Sequence, residues 1–148
     1  MGETVKTRLG WSGMGTTLLS DAMKIRIKRL SPAAFLPEYA HGPEEDAGMD
    51  LRAVERVALE PGIPFAVPTG IAIELPPGYE AQIRPRSGMA LKHAITVPNS
   101  PATIDPGYRG EIRVIMLNLG TAPYQIRAGD RIAQMVISSY ACLALGAF

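Results

Sequence analysis

Glycine and proline break this chain so often that no regular element can run long. Gly 15 and Pro 13 together make 28 of 148 residues, about a fifth, against roughly an eighth in an average chain. What lies between the breaks is short and alternating. Met23, Ile25 and Ile27 alternate with Lys24, Arg26 and Lys28, the period of a half-exposed strand. Residues 69–75 put Ile71, Ile73 and Leu75 on one face, and Pro76-Pro77-Gly78 then turns the chain. Residues 79–84 and 94–97 are shorter candidates. In 111–119, Ile112, Val114 and Met116 point one way and Ile115, Leu117 and Leu119 the other, so both faces are expected to be buried. Residues 131–137 form a last strand after Ala128-Gly129, while Ser31-Pro32 starts one helical turn at most. Strands recurring roughly every eight to twelve residues, with turn signals between them, predict an all-β sandwich, jelly roll or barrel.

The composition removes several classes of function. Lys+Arg 15 against Asp+Glu 14 leaves a net charge of +1, too weak a field for a nucleic-acid binder. A hydrophobic fraction of 47% can bury one domain's core. A single cysteine, Cys142, allows no internal disulfide and suits a reducing compartment, so a cytoplasmic location is expected. His41, His93 and Cys142 stand apart, without metal-ligand spacing. No run reaches the roughly 18 apolar residues of a membrane span. Residues 1–22 lack a continuous apolar core and are expected to be a flexible extension, with Met23 a possible true start. The domain is expected at 23–137, and 138–148 as a short tail.

Four loops carry more polarity than packing requires. Residues 47–53 (AGMDLRA) place Gly48 where backbone can pass close to a neighbour, with Asp50 at a strand start; a turn with an exposed carboxylate reads equally from these letters. Residues 85–90 (PRSGMA) combine the planar donor fork of Arg86, the Ser87 hydroxyl and Gly88, which lets N–H groups approach an anion. Ser87 would cap a short helix at 88–91, although a capped turn with a surface arginine fits too. Residues 99–111 hold Asn99, Asp105 and Tyr108 around the Pro106-Gly107 reversal, a reader, a base and an aromatic plate, or else an Asx turn and a core tyrosine. In 131–136, Gln134 interrupts an apolar strand, where a buried amide would need partners.

Taken together and in order, these segments resemble the homotrimeric deoxyuridine triphosphate nucleotidohydrolases, the dUTPases. The resemblance runs over about 23–137, and its most specific pieces are PRSGMALKH, TIDPGYRGEI and RIAQM. It implies a single-domain, jelly-roll-like β-barrel that forms trimers with shared sites and hydrolyses dUTP to dUMP and pyrophosphate with Mg²⁺. That reaction limits uracil incorporation into DNA and supplies dUMP for thymidylate synthesis. By similarity, Asp105 deprotonates the attacking water, and Tyr108 packs under the deoxyribose and excludes a 2′-hydroxyl. Asn99, with the backbone through Thr103 and Ile104, reads uracil. Arg86, Ser87 and Gly88 bind phosphate, usually from a neighbouring subunit. Gln134 contacts phosphate, Asp50 supports the site, and Arg113 lies against the nucleotide. No carboxylate cluster stands ready for a metal, so triphosphate oxygens and water are expected to hold Mg²⁺. Neither nucleic acid nor membrane is an expected partner.

Two glycines usual in the family are replaced here by Ala94 and Ala102, and strain of about 1–2 kcal/mol is expected if Ala102 needs a positive φ. The resembled enzymes also continue into a glycine-rich arm that 138–148 does not resemble. That predicts retained dUTP binding with kcat/KM lower by roughly 10²–10³. Two rival readings follow: a dUTP-binding or regulatory protein of weak activity, and a dCTP deaminase. The deaminase needs a general-base glutamate on the strand after the Asp-Pro-Gly turn, and none lies between Glu111 and Asn118.

Overall fold

The computed structural model describes residues 23–146. Eleven short strands and one helix follow in order: β1 (Arg26–Arg29), β2 (Met49–Arg52), β3 (Val57–Leu59), β4 (Phe65–Pro68), β5 (Ile71–Glu74), β6 (Tyr79–Arg84), α1 (Ser87–His93), β7 (Ile95–Thr96), β8 (Ala102–Ile104), β9 (Arg113–Asn118), β10 (Tyr124–Ile126) and β11 (Arg131–Ser139). They hydrogen-bond as four sheets, β1-β5, β10-β3, β2-β11-β6-β8 and β4-β9-β7. The fold is all-β and jelly-roll-like, as the punctuation predicts, and no single closed barrel ladder joins the four sheets.

The nine residues of β11 organise the largest sheet because both of its edges are paired. Met135 stands opposite Met49 of β2 and Ile83 of β6, and all three side chains are buried. They make an apolar row across three strands. Ile71, Ile112, Val114, Met116, Ile126 and Ile132 belong to the same continuous core, each worth about 1.5–3 kcal/mol of transfer from water. The two buried polar side chains nearest the β9 ends are paired internally. Asn118 donates from Nδ2 to the carbonyls of Leu59 and Ala122 and accepts from the Gly120 N–H, while Thr69 Oγ1 donates to the Ile112 carbonyl. Gly48 does sit under a close neighbour, since a Cβ there would lie 3.2 Å from Cβ of Gln134.

Three expectations need correction. The second face of 111–119 is not buried within one chain: Ile115 is 38% and Leu119 63% exposed. β9 pairs with β4 and β7 in a three-stranded sheet, and among the described residues that face is left partly uncovered. Ser87 does not cap α1, which begins at Ser87 with Arg86 in the capping position and no side-chain cap bond. The Arg86 carbonyl instead accepts the Met89 and Ala90 N–H groups. Ala102 is extended in β8, and the left-handed residue is Ala94, φ 54°, at the C-terminal cap of α1. A chain leaving a helix needs that conformation to reverse its carbonyls; a residue entering a strand ladder does not. The single turn at Ser31 is present, with the Ala34 N–H on the Ser31 carbonyl at 3.1 Å. The expected extension at 1–22 lies outside the described residues.

Candidate active site

The polar groups gather first on the outward face of the β2-β11-β6 ladder. Because alternate residues face opposite sides of a sheet, the row beside the buried Met49–Met135–Ile83 row is Asp50, Gln134 and Arg84, which stand opposite one another. Asp50 is only 5% exposed, and burying a bare carboxylate would be prohibitive. Two guanidinium groups resolve this. Arg86 Nε donates to Asp50 Oδ1 at 3.1 Å, and Arg131 Nη1 donates to Oδ2 at 3.2 Å. Arg86 Nη1 also reaches the Arg131 carbonyl at 3.5 Å. Two cations on one anion leave this corner with an excess positive charge, suited to phosphate oxygens. Ser87 and Gly88 follow at once, exposed, and a Cβ at Gly88 would meet nothing within 4 Å. Gln134 is exposed rather than buried. Its outward side chain is free to meet a ligand, so the expected burial of this amide is corrected.

Arg131 does not stand out in the sequence as a site residue. The signal was there: a carboxylate entering a strand between Met49 and Leu51 must find counter-charges, and arginine opens the RIAQM segment.

The second group lies on the turn after β8. The Tyr108 N–H bonds the Asp105 carbonyl at 3.0 Å, closing the Asp-Pro-Gly-Tyr reversal. Asp105 is exposed, and Tyr108 is 44% exposed with its hydroxyl donating to the Glu111 carbonyl at 2.9 Å. Arg109, also unassigned from sequence, braces this turn. Its Nη1 donates to the carbonyls of Pro106 and Tyr108, and its Nη2 lies 3.5 Å from Glu74 Oε1. Glu111 accepts from the Gly70 N–H at 2.9 Å and from Arg113 Nε at 2.8 Å. Arg113 is thereby held on the outer side of β9. Thr103 is exposed and Ile104 half-buried on β8, while Asn99 is exposed in the turn before it.

One chain does not bring the two groups together. β8 runs antiparallel to β6 with Ile104 opposite Ala81, so Asp105 leaves the ladder beside Glu80. Arg86 lies six positions further along the β6 segment, on the order of 20 Å at the rise of a strand. The structure therefore joins Asp50, Arg86, Arg131 and Gln134 at one end, and Asp105 and Tyr108 at the other.

Known proteins give the family. The model of the dUTPase family matches residues 37–145. The chain belongs to the dUTPase family. It is 69% identical over 118 residues to the deoxyuridine 5'-triphosphate nucleotidohydrolase of Solibacter usitatus, covering 80% of each chain. To the same enzyme of Gloeothece citriformis it is 56% identical over 116 residues, 78% of this chain and 79% of that one. Among solved structures, a mutant dUTPase from phage phi11 of S. aureus superposes with a TM-score of 0.78 at 27% identity, covering 84% of this chain and 95% of that one. That protein is described with a coordinated structural Mg(II) ion. A mutant dUTPase of Staphylococcus bacteriophage 80alpha, solved with dUpNHpp, gives the same TM-score and identity over 84% and 87%.

In this chain the described residues contain no group of three or more His, Cys, Asp or Glu side chains that could hold a metal ion. Asp50, the buried carboxylate of the site, already spends both oxygens on arginines. The described donor set of one chain therefore offers no ready-made metal cage. No helix among the described residues is long and apolar enough to cross a membrane.

Proposed function

We propose that this dUTPase-family chain hydrolyses dUTP to dUMP and pyrophosphate, with Asp105 as the base and the Arg86 corner as the phosphate site. Family membership carries the activity, and the Asp50–Arg86–Arg131 cluster supports the phosphate assignment. Hydrolysis at a phosphoryl centre needs charge neutralised, a water aligned and its proton removed. The fixed guanidinium of Arg86, the Ser87 hydroxyl and the open approach over Gly88 supply the first, with the Gln134 amide as a further contact. Asp105, exposed on a closed turn, takes the proton of the water. Tyr108 offers the deoxyribose a flat face that leaves no room for a 2′-hydroxyl. Asn99, with the main chain at Thr103 and Ile104, matches the edge of uracil; a cytosine there would leave a buried polar group unpaired. Arg113 flanks the nucleotide, and Asp50 acts through the two arginines. Mg²⁺, if bound along with the triphosphate, would neutralise part of its charge beside the Arg86 corner.

The working form is a homotrimer. The separation of Arg86 from Asp105 supports this, since a second copy must bring its phosphate corner to the first copy's turn. The exposed apolar face of β9 is a surface that copies would cover. A cytoplasmic setting, where the nucleotide pool lies, fits the lone Cys142. The domain proper is 23–137, and its reaction limits uracil in DNA by removing dUTP and provides dUMP.

Product analysis after incubation with dUTP, dCTP and UTP tests the reading. Equimolar dUMP and pyrophosphate from dUTP alone is the expected result. Ammonia and dUTP from dCTP would make the chain a deaminase, and tight dUTP binding without products would make it a binding protein.

A further inference from the structure

Gly110 needs no left-handed backbone, since its φ is not positive. What it lacks is room. A Cβ at residue 110 would lie 2.6 Å from Oη, 2.7 Å from Cζ and 3.2 Å from Cε2 of Tyr108. The tyrosine ring is thus folded back over the bare backbone of Gly110, and its hydroxyl closes the fold by donating to the Glu111 carbonyl at 2.9 Å. By contrast, a Cβ at Gly107, in the same loop, would meet nothing within 4 Å.

The anchor itself is fixed from several sides. Glu111 is tied through Oε1 to the Gly70 N–H and through Oε2 to Arg113. The next residue, Ile112, donates its N–H to the Ile71 carbonyl at 2.8 Å and accepts from Thr69 Oγ1 at 2.6 Å. A ring hung from that carbonyl and resting on Gly110 has its plane set by the core sheet rather than by its own rotamer freedom.

We propose that Gly110 is a positioning residue for sugar selection: its missing side chain and the Glu111 carbonyl form the seat that fixes the plane of Tyr108. This rests on the reading of Tyr108 as the platform for the sugar. A methyl group at residue 110 cannot coexist with the ring where it now lies, so the ring tilts and its free face moves. Alanine is otherwise acceptable there, since no left-handed backbone is required.

The test compares kcat/KM for dUTP and UTP in the full chain and in Gly110→Ala, Tyr108→Phe and Tyr108→Ala, with light scattering and thermal unfolding to establish the folded assembly. Gly110→Ala is expected to lower the dUTP:UTP ratio about tenfold, the scale of one displaced contact, with the parent's assembly state. Tyr108→Phe, which loses only the hydroxyl anchor, is expected to lower the ratio in the same direction and decides the matter if Gly110→Ala does not fold. If Tyr108→Ala lowers the ratio while a folded Gly110→Ala or, failing that, Tyr108→Phe leaves it at the parent value, the seat is overturned and the platform stands. If Tyr108→Ala also leaves it unchanged, the platform falls and the seat with it.

Discussion

Arg86 donates from Nε to Oδ1 of Asp50 at 3.1 Å, so a carboxylate on β2 fixes a guanidinium two residues beyond the end of β6. The two strands are not neighbours; β11 lies between them and contributes Arg131 to the other carboxylate oxygen. A charge buried in this way organises three strands at once.

Asp50→Asn should therefore cost both stability and activity. An amide accepts on one atom only and presents a donor to the other arginine. A stability loss of about 1–3 kcal/mol is expected, discounted for the partial exposure of Arg131. A fall in kcat/KM of roughly ten- to hundredfold is expected as Arg86 loses its orientation. Urea unfolding and steady-state kinetics check the two halves separately. Unchanged kcat/KM in Asp50→Asn would show that Arg86 needs no support from β2.

Ala94→Gly should make the protein more stable. Ala94 carries a side chain at φ 54° in the C-terminal cap of α1, where L residues other than Asn and Asp rarely go. Relieving it is expected to add about 1 kcal/mol, a rise in Tm of about 2–4 °C for a chain of this size. A lower Tm would mean that the lost methyl packs better than the strained backbone costs.

The outer face of β9 gives a third expectation. Ile115 stands opposite Ala66 on the uncovered side of the β4-β9 pair, and both are exposed. The parent chain should scatter light as roughly three times 15.9 kDa. Ile115→Asp, which puts a charge on that face, should shift the mass towards one chain and remove hydrolysis with it. A monomer of full activity would contradict a site shared between copies.

Much of this was legible in the residues. Alternation at 23–27, 69–75 and 111–119 located β1, β5 and β9, and Pro76-Pro77-Gly78 marked the turn into β6. The three-residue strands β3, β8 and β10 were not legible, because a period of two needs more positions than that to stand out. Exposure on β9 is hidden for a different reason: Ile115 and Leu119 look like core letters, and a sequence does not say whether their cover is the same chain or another. The ligands of Asp50 were half visible. Arg86 stands out by its own motif, but pairing it and Arg131 with Asp50 depends on the order β2-β11-β6, which no local pattern encodes. Ala102 and Ala94 both depart from the family's glycines, and only the helix end decides which of them is strained.

The proposed hydrolysis turns on Asp105 as the base, and Asp105→Asn tests that role most directly. The variant keeps the size of the side chain and the Asp105–Tyr108 turn, whose bond runs through the main-chain carbonyl, but an amide does not take a proton from water. Calorimetric binding of dUTP and its rate of hydrolysis should be measured on the same preparation. Binding near the parent affinity with turnover reduced at least about a hundredfold is the predicted result. Hydrolysis of dUTP at the parent rate would remove Asp105 from the chemistry and contradict the mechanism.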